Sequence, residues 1–221
     1  MNLEPSLFST TWHVFMLLLT LAVAYDLFRR APWSRLREGP TLNVMLGCAV
    51  ALTLVWSMKA GVKPGLDLHL VGAMAGTLIL GPRLAIVALA LALCGITLNG
   101  TTAWLAWPVN FIVTVVVPII VAAGLKRLVE RWLPAHFFIF IFVIGFAGAA
   151  LAVMAQGAVA SVILVLAGAY PADFLLNEYL PFFLLLGFSE AWISGAVVTL
   201  LVIYKPEWVS GFDDSRYLLN K

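Results

Sequence analysis

Asp67 and His69 stand two residues apart in GVKPGLDLHLVGAMAGTLILGP, residues 61–82, where a carboxylate and an imidazole open an apolar run spaced by glycines. Imidazole nitrogen and carboxylate oxygen together suit borderline divalent ions, with His nitrogen favoured by nickel, cobalt, copper and zinc. Two more histidines, His13 and His136, stand near the starts of other apolar runs, and Glu190 lies inside one, in FSEAWISGAV. Asp173, Asn177 and Glu178 gather before the last run. The chemistry these types offer is capture of a divalent transition metal.

The elements that position them must be membrane helices. The chain is 63% hydrophobic and only 11% charged, with a mean hydropathy of +1.04, too apolar to hide its surface in a soluble core. A crossing needs about 20 mainly apolar residues. Such runs fall at about 10–28, 41–57, 105–125, 135–168 and 180–204. Between them, Gly81-Pro82-Arg83 interrupts 68–98; Pro removes a backbone donor, and an Arg in mid-membrane is costly. Two short spans, about 68–80 and 84–98, are therefore expected, with the tripeptide as a hairpin at the surface.

Charge tests that choice. With the N-terminus outside and seven spans, Arg29, Arg30, Arg35, Arg37, Arg83, Lys126, Arg127, Arg131, Lys205, Arg216 and Lys221 lie inside, eleven of the 13 basic residues. Only Lys59 and Lys63 stay outside, as the positive-inside rule requires. Merging the third and fourth spans would reverse six of the eleven. The expected architecture is an all-α membrane protein, a seven-transmembrane helical bundle in one domain over 1–221, N-terminus outside and C-terminus cytoplasmic. No basic residue precedes Arg29, so the first run is expected to remain as a helix rather than act as a cleaved leader. The sixth run is long enough to tilt, to protrude or to kink near Gly157. Cys48 and Cys94 lack CxxC spacing and read as small core residues.

On this topology His13, Asp67, His69, Asp173, Asn177 and Glu178 share the outer face. His69 follows Pro64-Gly65, a turn able to fold the chain back into the bundle. His13, beside Trp12, reads either as a ligand or as an interfacial side chain. His136, after Pro134, reads as a helix-start residue. Glu190 is a functional candidate by its depth alone; its partner is Asn110, Gln156, Ser194 or a bound cation, unless it is a protonated tie between helices. Asn110, after Pro108, either orients a ligand loop or caps a helix.

Three stretches resemble a known family. SMKAGVKPGLDLHLVGAMAGTLILGP is similar to the loop-and-helix signature of the substrate-binding membrane subunits of energy-coupling-factor cobalt and nickel transporters, the CbiM/NikM type. TTAWLAWPVNFIVTVVVPIIV resembles the stretch holding that family's asparagine, and FSEAWISGAVVTLLV its last-helix acidic signature. The resemblance carries the metal-ligand histidine onto His69, the asparagine onto Asn110 and the glutamate onto Glu190. It also implies an N-terminal Met-His whose amine, amide and imidazole clasp the ion. Here residue 2 is Asn. Either His13 supplies a replacement ligand, or this divergent branch takes another cargo, with Asp67 broadening the candidates from Ni and Co to Cu, Zn, Fe or Mn.

The site expected from all this is His69, His13, Asp67 and Glu190, supported by Asn110 and Glu178. The function expected is the substrate-specific component of a divalent-metal uptake system in the bacterial cytoplasmic (inner) membrane, binding the ion near the periplasmic face. The chain has no GxxxxGK[ST], so ATPase subunits and a transmembrane coupling subunit would be separate partners, docking on small-residue faces of the first, third and sixth helices. The lipid bilayer is the other partner, and no nucleic acid is expected. Two alternatives stay open. One is a membrane metalloenzyme or redox protein that retains its metal; the other is a scaffold for an organic nutrient, its pocket lined by Trp104, Trp107 and Trp192.

Overall fold

The computed structural model describes residues 2–37, 39–63 and 65–219. Met1, Pro64, Lys221 and the side chain of Lys63, all used in the sequence reading, lie outside the described residues. Seven helical rods follow one another: α1 (Thr10–Arg30), α2 (Thr41–Ser57), α3 (Ala73–Leu80), α4 (Pro82–Leu98), α5 (Trp104–Trp132), α6 (Ile139–Leu166) and α7 (Ala172–Tyr204). By length and composition α1, α5, α6 and α7 can cross a membrane; α2 and α4 are shorter apolar helices. Three short strands accompany them, β1 (Asn2–Leu3), β2 (Ala60–Lys63) and β3 (Leu66–Leu68), in an antiparallel sheet of order β1-β3-β2.

The organising element is α3. It has 8 residues, all buried, and packs against α2, α4, α5, α6 and α7. At 1.5 Å per residue it spans about 12 Å of a hydrocarbon layer about 30 Å thick. The helix expected from residue 68 begins only at Ala73, because 66–68 pair as a strand and Gly72 turns the chain at φ +73°. A side chain at Gly72 would be strained, and its Cβ would lie 2.7 Å from Leu52 Cδ2. Irregular backbone of this kind persists at membrane depth only where protein wraps it.

Both ends of α3 are held from far along the chain. At its C-terminal end Gly211 N–H donates to Leu78 O (2.8 Å), Ser210 N–H to Ile79 O (3.0 Å) and the Arg35 guanidinium to Leu80 O (3.3 Å), satisfying carbonyls a helix end leaves open. Gly81 then breaks the rod at φ +80°, ψ 159°, a conformation essentially reserved for glycine. Pro82 opens α4, where no backbone donor is needed. Arg83, in that first turn, pairs with Asp26 of α1.

The small-residue faces expected to dock a partner on the third and sixth helices are taken up inside the bundle. A Cβ at Gly76 would sit 3.3 Å from Leu89, at Gly148 2.5 Å from Met74 and at Gly157 2.4 Å from Phe183. The irregular stretch of the sixth rod also lies elsewhere than near Gly157: Ile139–Ala147 is wound as a wide π-helix, and Gly148–Leu166 is regular.

Candidate metal-binding site

The site begins with β1. Its residues pair with β3 in the register Asn2↔Asp67 and Leu3↔Leu66, and Leu3 and Leu66 are fully buried. The outer edge of β1 is met by a side chain in place of another strand. Leu3 N–H donates to Asn110 Oδ1 (2.8 Å), and Asn110 Nδ2 donates to Leu3 O (3.1 Å). The carboxamide thus imitates a peptide unit, and this fixes Asn2 in depth and direction. Asn110 is wholly buried, so its role lies with the N-terminal strand rather than with capping a helix.

His69, just beyond β3, faces Asn2. The residue is 3% exposed, and its ring packs at a tilt of 33° against the buried Trp56 indole, ring centres 4.8 Å apart. Nδ1 lies 2.8 Å from Leu70 O. A neutral imidazole carries one N–H, and Leu70 O and Asn2 Oδ1 are both acceptors, so the ring donates at one of the two contacts; with the hydrogen on Nδ1, at the shorter contact, Nε2 turns a lone pair toward Oδ1. Nε2 lies 3.3 Å from Asn2 Oδ1. A metal-ligating histidine commonly donates its second ring N–H to a carbonyl in this way. Two buried donors beside the ring, Asn2 Nδ2 and Trp56 Nε1, have no hydrogen-bond partner.

The other expected residues stand differently. Asp67 forms an ion pair with Lys59 and borders a polar cavity of about 280 Å³ lined by Asn2, Glu4, Lys59 and residues 100–103. His13 is turned to the preceding segment, Nε2 3.2 Å from Pro5 O and its ring edge-on to Phe8. Glu178 is exposed at the start of α7. Glu190 is buried, and both oxygens accept hydrogen bonds: Oε2 from Val71 N–H (2.8 Å), Oε1 from Gly72 N–H (2.6 Å) and from the Ser194 hydroxyl (2.9 Å). Among the described residues no three His, Cys, Asp or Glu side chains form a group able to hold a metal. His69 and Asn2 are brought together; Asp67, two residues before His69, is paired instead with Lys59, and Glu190 reaches the stretch after His69 through backbone amides.

Of the partners weighed for Glu190, Ser194 is the one found; Gln156 is buried with neither polar atom paired. Trp104 and Trp192 are exposed, and Trp107 stacks on Phe111, so these three indoles do not line a common pocket. Sequence reasoning missed Trp56, which ends an apolar run as any interfacial tryptophan does, and Asn2, whose partner is 67 residues away.

The sequence model of a family described as "Cobalt uptake substrate-specific transmembrane region" matches residues 2–208. Two solved structures share the fold at 19% identity. One, a truncated transition metal transporter, has a TM-score of 0.80 over 92% of this chain and 99% of its own. The other, a transition metal transporter, has a TM-score of 0.79 over the whole of both chains. No curated protein sequence matches. The family match spans nearly the whole chain, and the chain belongs to that family.

Proposed function

We propose that this member of the cobalt-uptake family captures a divalent transition-metal ion at the outer mouth of the bundle, with His69 Nε2 as the central ligand and Asn2 Oδ1 beside it. The ion is cargo, received from the outer cavity and passed inward with separate coupling and ATPase subunits of the energy-coupling-factor type. The chain crosses a bacterial inner membrane seven times, N-terminus outside, the short α3 completing the third crossing with the stretch before it, as the distribution of basic residues supports.

The observation that carries the reading is the 3.3 Å between Nε2 and Oδ1. Two electron-pair donors to one ion, each at about 2.1 Å, stand about 3.0 Å apart at a right angle and about 3.4 Å at a tetrahedral angle. The pair is thus spaced for adjacent positions on a first-row ion. A carboxamide oxygen is a harder ligand than imidazole, so discrimination toward the late ions is weaker than a site with two imidazoles would give.

The test is His69→Ala in the full chain, purified in detergent. Stoichiometric Co²⁺ binding is expected to vanish while the thermal transition persists; parent-like Co²⁺ content in the folded variant would remove the site.

A further inference from the structure

We propose that Glu190 is a positioning residue for His69, acting through the broken backbone before α3 without touching the ion. The inference rests on the reading of His69 as ligand. Residues 69–72 belong neither to β3 nor to α3. Glu190 of α7 supplies the acceptors for two of their amides, 119 and 118 residues away, at 2.8 Å for Val71 and 2.6 Å for Gly72. The Ser194 hydroxyl, one turn further along α7, fixes the carboxylate from the other side at 2.9 Å.

The peptide so held contains the carbonyl that orients the ring. Leu70 O, which receives the His69 Nδ1 hydrogen at 2.8 Å, lies on the peptide group whose nitrogen is Val71 N. One rigid amide plane therefore donates to Glu190 with its N–H and accepts from His69 with its C=O. A shift of the carboxylate tilts that plane and turns the imidazole. This explains why a carboxylate rather than a carboxamide stands there. Three donors converge on two oxygens, and glutamine would point an NH₂ at one of those donors. The same carboxylate lies on the wall of an apolar cavity of about 180 Å³ between α2, α3 and α7, which Leu70 and Gly72 also line.

The experiment compares Glu190→Gln, Glu190→Asp and Ser194→Ala with the parent in detergent, reading Co²⁺ affinity by calorimetry, the Co²⁺ absorption bands, and hydrogen exchange of the peptide containing Val71 and Gly72. Glu190→Gln is expected to weaken Co²⁺ binding about 10–100-fold, the usual effect of losing an outer partner of a ligand, with shifted bands and faster exchange at 71–72. Glu190→Asp, still acceptor-only, is expected to recover part of the loss. Faster exchange with unchanged affinity would make Glu190 a helix tie only, and lost binding with unchanged exchange would make it a ligand; either overturns the proposal. Should Glu190→Gln fail to fold, Ser194→Ala decides: weaker binding with faster exchange supports the coupling, and parent values overturn it. Parent-like binding in His69→Ala would instead remove the metal site itself.

Discussion

α1 and α3 are built on opposite plans. α1 is a 21-residue helix with only 17% of its apolar window buried, and most of its side-chain polar contacts are local, as when Thr20 Oγ1 donates to Met16 O and His13 approaches Pro5 O, with Asp26 reaching across to Arg83. α3 has 8 residues and no exposed face, and the chain around it is fixed by Arg35, Glu190, Ser210 and Gly211. The long, continuous rod is stable by its own backbone hydrogen bonds and presents its side chains outward. The broken one persists only because five other rods enclose it, and that enclosure lets open backbone and the buried His69 sit side by side.

The largest separation of the two plans is expected from Gly72→Ala. The left-handed backbone there costs a β-carbon about 1–3 kcal/mol, and contact with Leu52 at 2.7 Å adds to it. Leu18→Ala on the exposed side of α1 should leave the melting temperature in detergent within a degree or two, and equal losses from both variants would erase the contrast. Asn110→Leu comes next. It strips Leu3 of two buried hydrogen bonds, worth roughly 1–3 kcal/mol together, and Co²⁺ affinity should fall with stability, because Asn2 is placed by its neighbour.

Asn2→His sharpens the comparison from the other side. An imidazole in place of the carboxamide should tighten binding by a factor that grows along Mn²⁺ < Co²⁺ < Ni²⁺ < Cu²⁺; competition titrations showing the parent's affinity for all four ions would place residue 2 outside the coordination sphere. His13→Ala should have the smallest effect, a loss of a few-fold at most through the Pro5 turn, read by the same Co²⁺ titration.

What was legible in the sequence divides along the same line. α1 could be read from hydropathy because a lipid-facing helix carries its full signal in neighbouring residues. Gly81-Pro82 announced the break after α3, since no other residues favour that backbone so strongly. The start of α3 was misplaced by five residues, because two- and three-residue strands leave no periodic trace and β1 pairs with β3 across more than sixty residues. His69 was marked by its polarity against an apolar background. Glu190 was marked by depth and Ser194 was among its candidate partners, yet its other two partners are backbone amides, which no residue type reveals. Trp56 was invisible as a neighbour of His69 for the same reason, and position 2 was brought near it by the family resemblance alone: contact between distant segments is a property of packing.

In the site proposed above, the carbonyl of Leu70 would keep the hydrogen of His69 on Nδ1 whenever an ion takes Nε2. Loading would then need no transfer of hydrogen between the ring nitrogens in a medium where water is scarce, and release of the ion would leave behind a ring prepared for its successor.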